Sequence, residues 1–236
     1  MRAHLVNLCL LFLLAACSAE ARAQSDANPD NWCRNGLFTR EEGELRLARV
    51  STEPAGRVHF WGDDDDCPDG PAARCRLKSY LVAGDEMIVS RRRGGFVCAW
   101  FQPRRGGETV GWLPADRLLI GENAPEPPPA AWAGHWKFYD SFIEIKRGRR
   151  AGELVVEGQA YWKGLGDNVH VGEINSALTP RGGRAIVEDD TCRVSLRLVG
   201  PYLVVNDNKQ CGGVNVTFDG VYRKQPPRRA RRPRGR

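Results

Sequence analysis

After its first two dozen residues the sequence has no apolar run long enough to form a membrane-spanning helix, so a soluble or lipid-tethered chain is expected. It has no Cys-x-x-Cys pair, which removes support for thiol-redox chemistry and for the usual zinc spacings. It has no Gly-x-Ser-x-Gly elbow and no Cys-His pairing, so no nucleophile is indicated. It also lacks an amphipathic helix pattern longer than two turns. An all-β protein without catalytic residues, cofactor or metal is the expectation.

What is present at the start reads as an export leader. Arg2 gives a short positive region and Leu5 to Leu14 a short apolar one. Two processing sites compete. Leu14-Ala15-Ala16-Cys17 resembles the lipobox of bacterial lipoproteins, which would make Cys17 a lipidation site. Ala21-Arg22-Ala23 fits ordinary cleavage after residue 23. The expected address is periplasmic or secreted, with an outer-membrane lipoprotein as the lipidated case.

Of eight cysteines, Cys9 and Cys17 fall in the leader, leaving Cys33, Cys67, Cys75, Cys98, Cys192 and Cys211. An even set suits an oxidising compartment. Six cysteines allow fifteen pairings. The pairing expected here is Cys33–Cys98, Cys67–Cys75 and Cys192–Cys211.

The net charge of +6 is a property of one end. Lys224 and the six arginines from Arg228 to Arg236 carry +7, so the rest of the chain sums to −1. Residues 224–236 cannot bury enough apolar surface to order themselves and are expected to be a disordered tail. For an exported chain its expected partner is an anionic envelope surface rather than nucleic acid. A membrane enters only through a lipid anchor.

Between leader and tail, residues 24–44 form an irregular segment, 45–120 a first β unit, 121–131 a linker with four prolines, and 132–223 a second β unit. The prolines favour an extended, semi-rigid spacer. Period-2 apolar patterns predict seven strands in the first unit and eight in the second, ending on a strand over Val214–Tyr222. Phe96 to Phe101 is apolar at every position, whereas a barrel strand normally shows one face to water. A cover is therefore expected over its outer face, and Trp32 to Phe38, held by Cys33–Cys98, is the candidate.

Tyr80 to Val89 with its Gly84-Asp85 turn, the aromatic Phe96–Phe101 strand and Gly111-Trp112-Leu113-Pro114 resemble bacterial SH3-like domains. The insert from Gly62 to Lys78, with two cysteines and Asp63 to Asp66, departs from that pattern. The resemblance implies a small barrel that binds peptide or peptidoglycan in an aromatic groove, here Trp61, Tyr80, Trp100 and Trp112. A cell-wall fragment or envelope protein is the implied partner. Gly134-x-Trp136 and Tyr222-Arg223 are similar to lipocalin-like barrels. Tyr161-Trp162-Lys163-Gly164 is similar to the loop of small barrels that inhibit lysozymes, without its threonine. A muramidase inhibitor acting through the second barrel is the alternative.

The four aspartates fail the EF-hand spacing and read as a solvated loop tip. His59, His135 and His170 are scattered and not at metal-ligand spacing.

Overall fold

The computed structural model describes residues 32–40, 43–122, 126–150 and 152–226. Residues 1–31, which hold the expected leader and Cys17, and the arginine-rich residues 227–236 lie outside the described residues. As the period-2 patterns require, the fold is all-β, with two antiparallel sheets. Among the described residues no helix is long and apolar enough to cross a membrane.

The first sheet holds β1 (Arg46–Val50), β2 (Val58–Trp61), β3 (Arg76–Leu81), β4 (Glu86–Arg93), β5 (Phe96–Phe101), β6 (Thr109–Pro114) and β7 (Leu118–Ile120). Their order is β3-β2-β6-β5-β4-β1-β7. Every strand sends alternate residues into one core, including Val50, Phe60, Leu81, Met87, Val97, Leu113 and Leu118, so the sheet wraps around it. Gly111 lets β6 meet β2 closely, because a Cβ there would lie 3.0 Å from the Trp61 carbonyl.

The second sheet holds β8 (Gly134–Phe138), β9 (Ser141–Arg147), β10 (Leu154–Lys163), β11 (Val169–Leu178), β12 (Arg184–Asp189), β13 (Cys192–Val199), β14 (Tyr202–Asp207) and β15 (Gly220–Lys224). The order β11-β10-β9-β8-β15-β14-β13-β12 leaves only β11 and β12 without ladder pairing to each other. They meet through side chains, Asn175 N–H to Asp189 at 3.4 Å and Ser176 Oγ to the Glu188 carbonyl at 3.4 Å, so the barrel is nearly closed.

All three expected disulfides are present. They place the folded chain in an oxidising, non-cytoplasmic compartment.

Three expectations need correction. Residues 210–219 are a loop, not the start of the last strand. The Asp207 carboxylate accepts the Phe218 N–H at 2.7 Å and the Lys209 N–H at 3.0 Å, holding those groups away from a ladder. Lys224, assigned to the tail, pairs with Trp136 at the end of β15. The linker expected over 121–131 is not an extended spacer to its end, since Pro129–Trp132 is helical. Pro129 opens a helical turn, at the position where a missing N–H costs nothing. That turn delivers Trp132 fully buried into the second core, where its carbonyl accepts the Trp136 indole N–H at 2.9 Å.

The cover over β5 is as expected in part. Cys33 and Phe38 are buried against Ile88, Cys98, Trp100 and Trp112. The rest of the cover is the second barrel itself, through Val199, Tyr202, Val204 and Val221. The two barrels thus share one apolar seam. Tyr202 to Val205 is buried at all four positions, like Val97 to Trp100. At the same seam, Arg197 donates to the Thr39 carbonyl at 3.0 Å and the Gly43 carbonyl at 3.2 Å.

Candidate functional site

The four aromatic residues expected to line a groove separate into two pairs. Trp100 and Trp112 are each only 1% exposed. Their indole N–H groups go to carboxylates, Trp100 to Glu108 at 2.8 Å and Trp112 to Asp63 at 2.7 Å. Covered by Tyr202 and by the N-terminal segment, these two belong to the seam and do not line an open groove. Trp61 and Tyr80 remain at the surface.

Asp63 is the reason the insert sits where it does. Its side chain is nearly buried and also accepts the Cys33 N–H at 2.7 Å, with the Arg34 guanidinium 3.5 Å away. The solvated-tip reading therefore fails for Asp63. Asp64 pairs with Arg34, Asp66 with Arg74 and Asp69 with Arg93. Among the described residues the grouping nearest to a metal site is Asp66 with Cys67 and Cys75. Both of those sulfurs are consumed in a disulfide, so no thiolate is available to a metal.

The surface pair sits at the open end of the same sheet face. Trp61 packs against Phe96, ring centroids 5.0 Å apart and tilted by 58°. One rung away His59 lies against Tyr80 at 5.6 Å, and the Arg57 guanidinium sits 4.3 Å above the Tyr80 ring. The register sets Arg76 opposite Trp61 and Tyr80 opposite His59, with an irregular stretch of β3 between them that carries Lys78. Arg76, Lys78 and Tyr80 are all exposed, Tyr80 by 42%. The result is an aromatic and cationic strip on β2 and β3. Flat apolar groups can stack on it, and anionic groups can meet its cations. Phe96 is the member that sequence reasoning missed. It begins a strand whose remaining residues are buried, and only its cross-strand neighbours reveal its place.

The histidines do not converge. His59 Nδ1 lies 2.9 Å from the Leu77 carbonyl, and His170 Nδ1 lies 2.7 Å from the Val214 carbonyl. His135 stacks on Phe142 at 5.4 Å. They stand on β2, β11 and β8, in separate surroundings.

Two other surfaces stand out. The β10–β11 hairpin continues to Lys163↔Val169, four rungs past the last pairing of β10 with β9 at Gln159↔Phe142. Its tip carries Leu165, 96% exposed, and its stem exposes Val169 and Val171. A cleft of about 630 Å³ lies between the barrels, lined by Arg46, Leu47, Arg184, Arg197 and Gly200 among others.

Burial raises the pKa of the Tyr202 phenol, against a smaller lowering effect of the Arg223 charge. Burial also raises that of Tyr222, whose hydroxyl donates to the Phe218 carbonyl at 3.0 Å. The Lys224 ammonium is lowered by burial, and it donates to the Ala131 carbonyl at 2.8 Å.

No family model matches the chain, and neither a curated protein nor a solved structure is similar to it.

Proposed function

We propose that this chain is an exported, non-enzymatic binding protein of the bacterial envelope. It holds a peptide or peptidoglycan fragment on the open aromatic end of its first barrel. One observation carries this reading: Trp61, Phe96, His59 and Tyr80 continue the covered aromatic face out to solvent, flanked by cations. Its periplasmic or secreted address agrees with the leader pattern and with the disulfides, and Cys17 is its candidate lipid anchor. The arginine-rich end adds attraction to anionic envelope surfaces.

The test is co-sedimentation of the full chain with purified sacculi. Wild type should be retained, and Trp61→Ala combined with Tyr80→Ala should cut retention about tenfold, as for truncation of aromatic anchors. Equal recovery of wild type with sacculi and with bare resin would remove this reading.

A second reading, a muramidase inhibitor, is favoured by the projecting β10–β11 hairpin with Leu165 at its tip. It expects the intact protein to slow lysis of a peptidoglycan suspension by lysozyme, and Leu165→Asp to abolish that effect. Unchanged lysis rates with wild type would eliminate it.

A further inference from the structure

The strands of the second barrel alternate in direction, so the β9–β10 and β11–β12 turns, the start of β8 and the finish of β15 share one end. Five arginines stand there, Arg147, Arg149 and Arg150 around the first turn and Arg181 and Arg184 around the second. All five are exposed, and among the described residues none has a carboxylate partner. At the opposite end Lys163, Arg193 and Lys209 meet Asp140, Glu188 and Asp219. The imbalance belongs to one end.

Local structure holds these charges together without relieving them. Gly182 and Gly183, with φ of 55° and 75°, make the tight turn that sets Arg181 directly opposite Arg184. Each donates its backbone N–H to the carbonyl of the other, at 2.7 and 3.0 Å. The ladder also sets Arg184 opposite Arg197, whose guanidinium donates to the Thr39 and Gly43 carbonyls. Like charges so opposed are destabilising. The nearby carboxylates are mostly engaged elsewhere. Glu44 pairs with Arg46, Glu126 accepts the Gly182 N–H at 2.8 Å, and Glu153 accepts the Arg150 N–H at 3.1 Å. Glu122 lies in the cleft between the barrels. Through Glu126 the linker is tied to the second turn. Two residues on, Pro128 to Ala130 face the first turn across a cleft of about 510 Å³ lined by Arg147, Arg149 and Arg150. The two arginine groups are thus neighbours.

The chain also leaves the barrel here. Lys224 donates to the Ala131 carbonyl at 2.8 Å, and the Gln225 N–H to the His135 carbonyl at 2.7 Å. Six more arginines follow between residues 228 and 236, within about 35 Å of this end even at full extension. We propose that this end of the second barrel is a docking face for a membrane of anionic phospholipid, its guanidiniums binding lipid phosphates. The proposal rests on that part of the reading above which gives the chain an anionic envelope surface, and it fixes which face meets that surface. Each cation near such a membrane contributes modestly, so several on one face are needed to hold a protein there.

The probe is a sedimenting vesicle of phosphatidylcholine with about one third phosphatidylglycerol, in about 0.1 M salt, beside vesicles of phosphatidylcholine alone. The intact oxidised protein should bind the anionic vesicles and leave the neutral ones. Arg149→Glu with Arg150→Glu, and Arg181→Glu with Arg184→Glu, should each weaken binding about tenfold, with unchanged circular dichroism. Lys163→Glu with Arg193→Glu reverses as many charges at the far end and should leave binding within about twofold of wild type. A chain ending at Pro226 should bind more weakly yet still prefer anionic vesicles. Equal losses from reversals at the two ends, no preference in the chain ending at Pro226, or binding of soluble polyphosphate but not of vesicles overturns the proposal. If vesicles fail while sacculi retain the protein, only this docking face falls. If sacculi fail while vesicles bind, only the peptide or peptidoglycan reading falls.

Discussion

Trp100 of the first barrel and Tyr202 of the second meet edge to face, ring centroids 5.4 Å apart and planes at 74°. Arg223 lies against both rings, at 6.0 and 5.6 Å, and one of its N–H groups donates to the Gln102 carbonyl. The contact joins residues about a hundred positions apart in the chain. It sits in a cluster drawn from the N-terminal segment and both sheets. The two halves therefore pack through one shared cluster, and they are expected to unfold together.

Tyr202→Ala should destabilise the protein by about 3 kcal/mol, combining a buried cavity with loss of an aromatic pair. Urea unfolding followed by tryptophan fluorescence and by far-ultraviolet circular dichroism should give coincident single transitions for wild type. Two resolved transitions in wild type would contradict a shared seam.

The disulfides should differ in worth. Cys33–Cys98 spans 65 residues and Cys67–Cys75 spans 8. Loop-closure entropy then gives losses of about 4 and about 2.5 kcal/mol when each pair is replaced by alanine. Denaturant midpoints of the two double variants check this order.

Asp63 and Asp65 are neighbours in sequence with different surroundings. Asp63→Ala removes the acceptor for the Trp112 indole N–H and the Cys33 N–H and should cost about 2–3 kcal/mol. Asp65→Asn, which keeps a residue suited to the left-handed backbone of this exposed position (φ 53°), should fall within about 0.5 kcal/mol of wild type. Thermal melts of both variants decide it.

Burial makes Tyr202 and Tyr222 hold their protons more tightly in the fold than a free phenol, whose pKa is about 10. Above that pH the unfolded chain releases protons that the native state retains, so stability is full below it and falls as pH rises. Urea midpoints should therefore drop from pH 9 to pH 11, and Tyr222→Phe should flatten part of that drop. A midpoint that rises over this range would refute the assignment.

Much of the architecture was legible because strand patterning is local. All seven strands expected of the first unit form, and so do the three expected disulfides, chosen from fifteen possible pairings to hold a cover, close an insert and staple a hairpin. The continuous apolar run Phe96–Phe101 announced a covered face. Tyr202 to Val205 carries the same signal, and it supplies the part of the cover that the N-terminal segment does not. Val214, Val216 and Phe218 alternate like a strand, yet the Asp207 carboxylate captures backbone groups there, an effect that periodicity does not encode. The groove failed for a related reason. Tryptophan type does not distinguish a stacking platform from a seam, and only the positions of Asp63 and Glu108 show that Trp112 and Trp100 are tied inward.

Synthesis runs from the N-terminus, so the face bearing Ile88, Trp100 and Trp112 is complete well before Val199 and Tyr202 exist. Until they arrive, that greasy patch is half-dressed, with only the Cys33 flap to hide it. Nascent chains released too soon should therefore stick to one another through the first half, and the yield of correctly folded protein should depend on how quickly the second half follows.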